Sequence, residues 1–406
     1  MSKKADREII VALDIGTSKV AVIVAEVATP ESFEIVGVGT APSRGMEKGL
    51  VVDIGKLSEC IEKAVSEAET MANCLIRTVF VGISGSHISS MSSQGLVSGT
   101  RREITEEDVH RALETAKQYH FDGDNQLLHA IPRDFTVDGM SGIKTPEGMS
   151  GVRLEVMVHL IACSVSALQN IKNCLSRCDL VAEQIILEQL ASSYAVLSED
   201  EQDLGVCLVD VGGGTTDIAV FYDGAIQGTW VIPIAGDHVT KDIAISLRTP
   251  TRSAEDLKLK HGAALAKLVD AQEEIEVPGV GERASRRMLR QALAEVIQPR
   301  YEELFGLVLK TLQDARCDER LVSGIVLSGG SSLVPGAVEL AEEIFHTQVR
   351  RGLPHQVSGF EDMLASPIYS TGIGLLHYGL RHRDDGTYRS YRHALSALWE
   401  KIKRNF

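Results

Sequence analysis

Apolar and polar positions fall into blocks along this chain, and the period within each block predicts its element. Residues 8–28 hold two β-branched runs, EIIVALDIG and KVAVIVAEV, around a glycine-containing turn, which predicts a β-hairpin. FEIVGVGT at 33–40 and RTVFVGISG at 77–85 predict two more strands. Between them Ile54, Leu57, Ile61, Ala64, Val65 and Ala68 recur at helical spacing over 53–72. Residues 86–162 change character and begin rich in serine and glycine. A helix is expected at ITEEDVHRALETAKQY, where Thr105 caps and Asp108 takes the capping-box position as an acidic variant. IPRDFTVDG and VRLEVMVHLIAC then read as strands, so a small α+β subdomain is expected here. Residues 167–199 are expected to be helical, 204–233 to form strands around VDVGGGTTD, 237–315 to be mostly helical with a Pro-Gly loop at 277–281, and 321–328 to form a strand ending in SGG. RDDGTYRS at 383–390 is rich in turn formers and charge and reads as a linker.

Two of these blocks share one form. VALDIGTSKVAVIV (11–24) and LVDVGGGTTDIAVFY (208–222) are each an apolar strand, an aspartate, a glycine-rich turn with hydroxyls and a second apolar strand. A duplicated lobe with a cleft between the halves produces such a repeat. Glycines let backbone N–H groups approach phosphate oxygens. Thr17, Ser18, Thr215 and Thr216 offer hydroxyl donors, and Lys19 can offset phosphate charge. Asp14 and Asp210 stand at strand ends, where they could hold the water shell of Mg²⁺. Neither block has the GxxxxGK[ST] spacing of a P-loop. GIVLSGGSSLVPG (324–336) adds a strand, a Gly329–Gly330 turn and a helix expected near Pro335, with Ser331 and Ser332 as its caps. That turn would set backbone against a flat ligand such as adenine.

Composition narrows the function class. The chain has 406 residues, 44% hydrophobic and 24% charged, with a net charge of -15. Such a balance supports substantial cores, and the acidity argues against general nucleic-acid binding, so any basic patch is local. Seven scattered cysteines without a CxxC pair suggest reduced thiols. No signal peptide or spanning helix is read, so a cytoplasmic protein is expected.

Two local features run against the acidic average. The chain ends in HALSALWEKIKRNF. At about 100° per residue, Leu395, Leu398, Trp399, Ile402 and Phe406 share an arc of about 100°. Lys401 and Arg404 lie away from it and Lys403 flanks it. That pattern fits a helix lying in an anionic bilayer interface, weakly alone and tightly in an assembly. The other feature is ERASRRMLRQALAEVIQPRYEEL (282–304), where Arg283, Arg286, Arg287, Arg290 and Arg300 read as a basic helix face that is either solvated or able to receive an acidic peptide.

DIGTS, DVGGGTTD and LSGGSS, in this order and spacing, resemble the nucleotide cleft of the actin, sugar-kinase and chaperone ATPase superfamily. LEQLASSYAVL (187–197) and STGIGLLHYGL (370–380) match its two connecting helices, with Ala191, Ser192, Gly372 and Gly374 letting them cross closely. MEKGLVVDI (46–54), VFVGISGSHI (79–88), the insert and the tail narrow the likeness: end to end the chain resembles the FtsA family of bacterial cell-division proteins.

The resemblance implies an α/β, actin-like two-lobed ATPase fold with duplicated mixed sheets. Residues 1–84, 163–195 and 370–382 would form the first lobe, 85–162 the insert, 196–236 with 308–369 the second lobe, and 237–307 its helical subdomain. The linker would be 383–393 and the membrane helix 394–406. It implies ATP and Mg²⁺ held by Asp14, Gly16, Thr17, Ser18 and Lys19, and by Asp210, Gly212, Gly213, Gly214, Thr215 and Asp217. Gly236, Asp237, Thr240, Glu255 and Lys258 would meet base and ribose, and Gly329, Gly330 and Ser331 the adenosine. Glu188 matches the position that orients water in relatives that hydrolyse ATP. The implied protein is a scaffold with at most slow ATPase activity. It self-associates into filaments on the inner face of the membrane, binds the FtsZ C-terminal tail through the arginine patch and meets later division proteins through 85–162. A small-molecule kinase of the same fold is the alternative, and a chaperone ATPase would need a substrate domain after residue 380.

Overall fold

The computed structural model describes residues 8–121, 123–281 and 283–382. The expected linker and membrane helix at 383–406 therefore lie outside the described residues.

The chain opens with strands β1 (Ile9–Ile15), β2 (Lys19–Thr29) and β3 (Ser32–Pro42), then a short hairpin of β4 (Met46–Glu47) and β5 (Leu50–Val51). Helix α1 (Ile54–Ala72) and strand β6 (Thr78–Ile83) follow. The insert is β7 (Ile88–Glu103), α2 (Glu106–Lys117), β8 (Asn125–Val137), β9 (Met140–Ile143) and β10 (Ser150–Ser164). The chain returns through α3 (Val165–Arg177), β11 (Val181–Leu187) and α4 (Glu188–Val196). The second lobe is α5 (Glu199–Leu204), β12 (Val206–Val211), β13 (Thr216–Tyr222) and β14 (Ala225–Ile232), then α6 (Gly236–Ser246), α7 (Thr251–His261), β15 (Glu274–Val277), β16 (Arg286–Leu289) and α8 (Arg290–Asp314). It closes with β17 (Ile325–Ser328), α9 (Ala337–Phe345), β18 (Val349–Arg351), α10 (Glu361–Leu364) and α11 (Ser370–His382).

The duplication is visible in the sheets. One runs β3-β2-β1-β6-β11 and the other β14-β13-β12-β17-β18. In each, the first two pairings are antiparallel and the last two parallel. Helices α4 and α11 fill the space between the sheets, where Ile10, Ala12 and Ile23 of one share a core with Val206, Leu208 and Ala219 of the other. A Cβ on Gly374 would lie 1.8 Å from the Ala191 carbonyl oxygen, so the helices touch backbone to backbone. The Thr105–Asp108 capping box forms as the spacing predicts.

Two expectations fail, one needs narrowing and one element went unread. The serine-rich run after 86 is the long strand β7, because it is a sheet edge whose covered serines find carbonyls: Ser93 donates to Ala116 O at 2.9 Å and Ser90 to Thr229 O at 2.9 Å. Residues 167–199 are not all helical; β11 passes into α4 at Leu187–Glu188 with no turn former between them to mark the change. The 237–315 region contains the β15–β16 hairpin, so Arg286 and Arg287 lie on a strand and the helix starts only at Arg290. Ser331 and Ser332 do not cap α9: their hydroxyls donate to Gly212 O at 2.8 Å and Gly329 O at 2.7 Å, and Gly336 is the cap residue.

Candidate functional site

The ends of β1, β12, β6 and β17 open into one cavity of about 420 Å³. Its wall carries both glycine turns: Asp14, Gly16, Thr17, Ser18 and Lys19 from one lobe, and Asp210, Gly212, Gly213, Gly214, Thr215 and Asp217 from the other. The turns face each other closely, since a Cβ on Gly213 would lie 1.9 Å from Ser18 Oγ. Gly329, Gly330, Ser331, Glu255 and Lys258 line the other end, with Leu259, Leu333, Val334, Pro335 and Ile368 as an apolar wall. A cavity of this size, polar at one end and apolar at the other, suits a ligand with a charged and a flat part.

Four acids crowd the polar end: Asp14, Glu188, Asp210 and Asp217. Asp210 accepts from Ser192 Oγ at 2.7 Å. Asp217 accepts from Thr215 Oγ1 at 3.1 Å and from Ser84 Oγ. Lys19 Nζ stands 3.4 Å from Asp14, donates to Ile368 O at 2.8 Å and lies over the Tyr369 ring. Burial dominates the titration of these acids. It pushes Asp210 up to about 6 against the Ser192 bond, and Asp217 up to about 7 against the Ser84 bond. Asp14 is raised by burial despite Lys19. Glu188 is raised well above the usual carboxylate range, first by burial and then by Asp14, Asp217 and Asp210. Burial, with mutual repulsion added to it, therefore favours the protonated form of these acids.

Some predicted residues stand elsewhere. Thr216 points its hydroxyl at Ile234 O, 2.7 Å away, and is fully buried, so it is not a donor to the cleft. Gly236, Asp237 and Thr240 are absent from the wall and brace it from behind. Asp237 N donates to Gly213 O at 2.8 Å, and Lys258 Nζ donates to Thr240 Oγ1 at 2.8 Å and Gly236 O at 3.1 Å. Lys258 also pairs with Glu255 at 2.7 Å. The arginines are remote from the cavity wall. Arg290 pairs with Glu273 at 2.7 Å, and Arg300 with Asp242 at 2.6 Å and with Glu303. Arg283, Arg286 and Arg287 are exposed. Sequence reasoning missed Ser84, Ser192, Thr371 and Gly49. Ser84 was findable, because GISGS follows β6 as LSGGSS forms and follows the end of β17 in the duplicated sheet.

Residues 207–374 match the family described as Cell division protein FtsA, and residues 85–162 match the SHS2 domain inserted in FTSA. The chain is 53% identical over 386 residues to Cell division protein FtsA of Pseudomonas aeruginosa, across 95% of this chain and 93% of that protein. It belongs to the FtsA family. The FtsA of Escherichia coli K12 is 44% identical over 411 residues, across 100% of this chain and 98% of that protein. Solved structures extend the likeness to fold alone. The PilM-PilN type IV pilus biogenesis complex matches with a TM-score of 0.66 at 18% identity, over 91% of this chain and 98% of that one. MreB5 of Spiroplasma citri bound to ADP matches with 0.56 at 13% identity, over 93% and 98%. The FtsA-family chain therefore has the actin-like fold expected from its duplicated hairpins.

Proposed function

We propose that this protein is an ATP-binding cell-division scaffold that assembles on the cytoplasmic face of the membrane and anchors the FtsZ ring there. The observation that carries the ATP reading is the cleft: two facing glycine turns over three buried acids and the half-buried Glu188, with an apolar wall at the far end. The turns would hold the phosphates, and the wall around Gly329, Gly330 and Leu333 the adenine. Asp14 and Asp210 would hold Mg²⁺ through its water shell. The donor set fits that ion, since Mg²⁺ is bound through one or two carboxylates and keeps several waters, and Asp14 and Asp210 line the cleft together. Bound there, the ion would neutralise charge on the phosphates. Glu188, whose carboxyl is raised well above its usual range first by burial and then by Asp14, Asp217 and Asp210, would be the water-orienting group of a slow hydrolysis.

Full-length relationship to cell-division proteins favours the scaffold over a small-molecule kinase. Attachment is assigned to the sequence at 394–406 for its apolar stripe of Leu395, Leu398, Trp399, Ile402 and Phe406 beside Lys401, Lys403 and Arg404. Arg283 and Arg286 are exposed and without an acidic partner among the described residues, and Arg287 is exposed with only a loose 3.8 Å pairing to Glu274, so these three are the arginines most open to an acidic tail of FtsZ; Arg290 and Arg300 are held closely by Glu273 and Asp242. Residues 85–162 are assigned to contacts with later division proteins and along the filament.

Co-sedimentation with anionic liposomes tests the reading, using the full chain and a version ending at residue 390, each with and without FtsZ. The full chain should pellet and carry FtsZ down, and the shortened one should not. Soluble behaviour of both removes the anchoring role.

A further inference from the structure

The MEKGLV hairpin has been given no chemical role so far beyond Gly49 in the cavity wall, yet its turn reaches the cleft. Met46 pairs with Val51 and Glu47 with Leu50, which leaves Lys48 and Gly49 as the two turn residues. Both have positive φ, 49° and 77°, as a tight two-residue hairpin turn requires. The turn is pressed onto the loop after β6: a Cβ on Gly49 would lie 2.5 Å from Ser84 O. Buried Met46 and the Val52 N to Gly45 O bond of 2.8 Å fix its base to the first lobe.

Its tip crosses to the other lobe. The Cα of Lys48 lies 3.1 Å from where a Cβ on Gly214 would stand, and Gly49 lines the same cavity as Gly214. The four-carbon stem of lysine, starting from that point, can reach over the Gly212–Thr215 turn. The Lys48 side chain is exposed and, among the described residues, forms no ion pair or hydrogen bond. Its charge is felt at His238 in the first turn of α6, whose pKa is lowered by burial and next by Lys48.

Charge balance calls for such a group. The two lysines in the cavity wall are already engaged, Lys19 by Asp14 and Ile368 O, and Lys258 by Glu255 and Thr240. A triphosphate brings further negative charge beside Asp14, Glu188, Asp210 and Asp217. We propose that Lys48 is a terminal-phosphate sensor: its ammonium binds the third phosphate of a nucleoside triphosphate in the cleft and thereby ties the first lobe to the glycine turn of the second. A diphosphate would leave it unbound, so the tie would exist in one nucleotide state. This inference rests on the ATP-binding reading.

Equilibrium binding of ATP and of ADP, each with Mg²⁺, tests it on the full chain. Lys48→Asn suits the test because asparagine tolerates left-handed backbone and should keep the turn. ATP should bind about tenfold more weakly to Lys48→Asn, a change of about 1.4 kcal/mol, while ADP binding shifts less than about twofold. Lys48→Arg should restore most of the ATP affinity. Equal losses for both nucleotides, or no loss for either, overturn the sensor role while leaving ATP binding in place. Failure of the unsubstituted chain to bind either nucleotide overturns the ATP reading, and the sensor with it.

Discussion

Two regions join the lobes, and they are built from opposite materials. At the back of the cleft α4 and α11 cross with Gly374 against the Ala191 carbonyl, inside a core containing Leu190, Ile373, Leu375 and Leu376. At the side, the insert meets β14 and α5 through polar groups. Ser90 Oγ donates to Thr229 O, His159 Nε2 lies 3.1 Å from Thr229 Oγ1, Arg133 bonds Gln227, and Lys144 stands 3.2 Å from Asp203. His159 Nδ1 and Arg133 Nε are buried there without a partner among the described residues. Dry backbone contact admits rotation but not separation, because any gap forfeits dispersion contacts outright. Polar contacts can exchange with water at little net cost. From this contrast we expect the crossing to act as the pivot and the insert as a strap that can release.

The sharpest way to break this contrast is Gly374→Ala. In an ordinary helix the change would stabilise by about 1 kcal/mol. Here the new methyl meets a backbone oxygen that cannot turn aside, so the helices must part. A loss of about 3 kcal/mol is expected, read from denaturant midpoints at constant slope. A neutral or stabilising result would mean that the crossing is loose and is no pivot.

The same contrast separates what the sequence displayed from what it hid. The pivot was legible in part: Ala191, Ser192 and Gly374 are small residues that meet at the crossing, whereas Gly372, expected there too, faces Ile23 of the first sheet. The glycine turns were legible because their repeat is written in chemistry as well as in period. The strap was not. Its members are single polar residues on β7, β8 and β10, and nothing in ISSMSSQG says that Ser90 will find a carbonyl 139 positions away. Long-range polar pairing leaves no periodic trace, and the low strand propensity of serine hid β7 itself. Thr216 failed for a related reason: alternation along β13 turned its hydroxyl away from the cleft that its neighbour Thr215 lines.

Acid should sharpen the comparison next. Burial pushes His159 down to about 4, with Arg133 beside it, and His129, whose Nε2 accepts from Leu187 N at 3.1 Å, also to about 4. The unfolded chain takes up these protons below about 6.5 and the folded chain only near 4. Each histidine therefore costs stability as pH falls through that window, about 2 kcal/mol by pH 5. The cleft acids act in the opposite sense over the same range, since Asp210 and Asp217 stay protonated in the fold to about 6 and about 7. Comparing the unsubstituted chain with His159→Gln cancels that shared slope. The variant should lose about 2 kcal/mol less between pH 7 and pH 5. Parallel curves would show that His159 is hydrated, and that the strap is wetter than its burial implies.

The smallest effect isolates the strap alone. Ser90→Ala removes one hydroxyl that serves Thr229 O and touches neither the pivot nor the cleft. The global stability loss should be about 1 kcal/mol or less. Local opening is the better reading, because amide exchange reports sub-global fluctuations that a denaturation midpoint averages away. Exchange should quicken in β14 and stay unchanged in α4 and α11. If all three quicken together, strap and pivot open as one cooperative unit, and the insert cannot report on the lobes independently of their hinge. If only β14 responds, the insert can let go of the second lobe while the lobes remain joined, which a partner seated on residues 85–162 would need in order to act on the cleft.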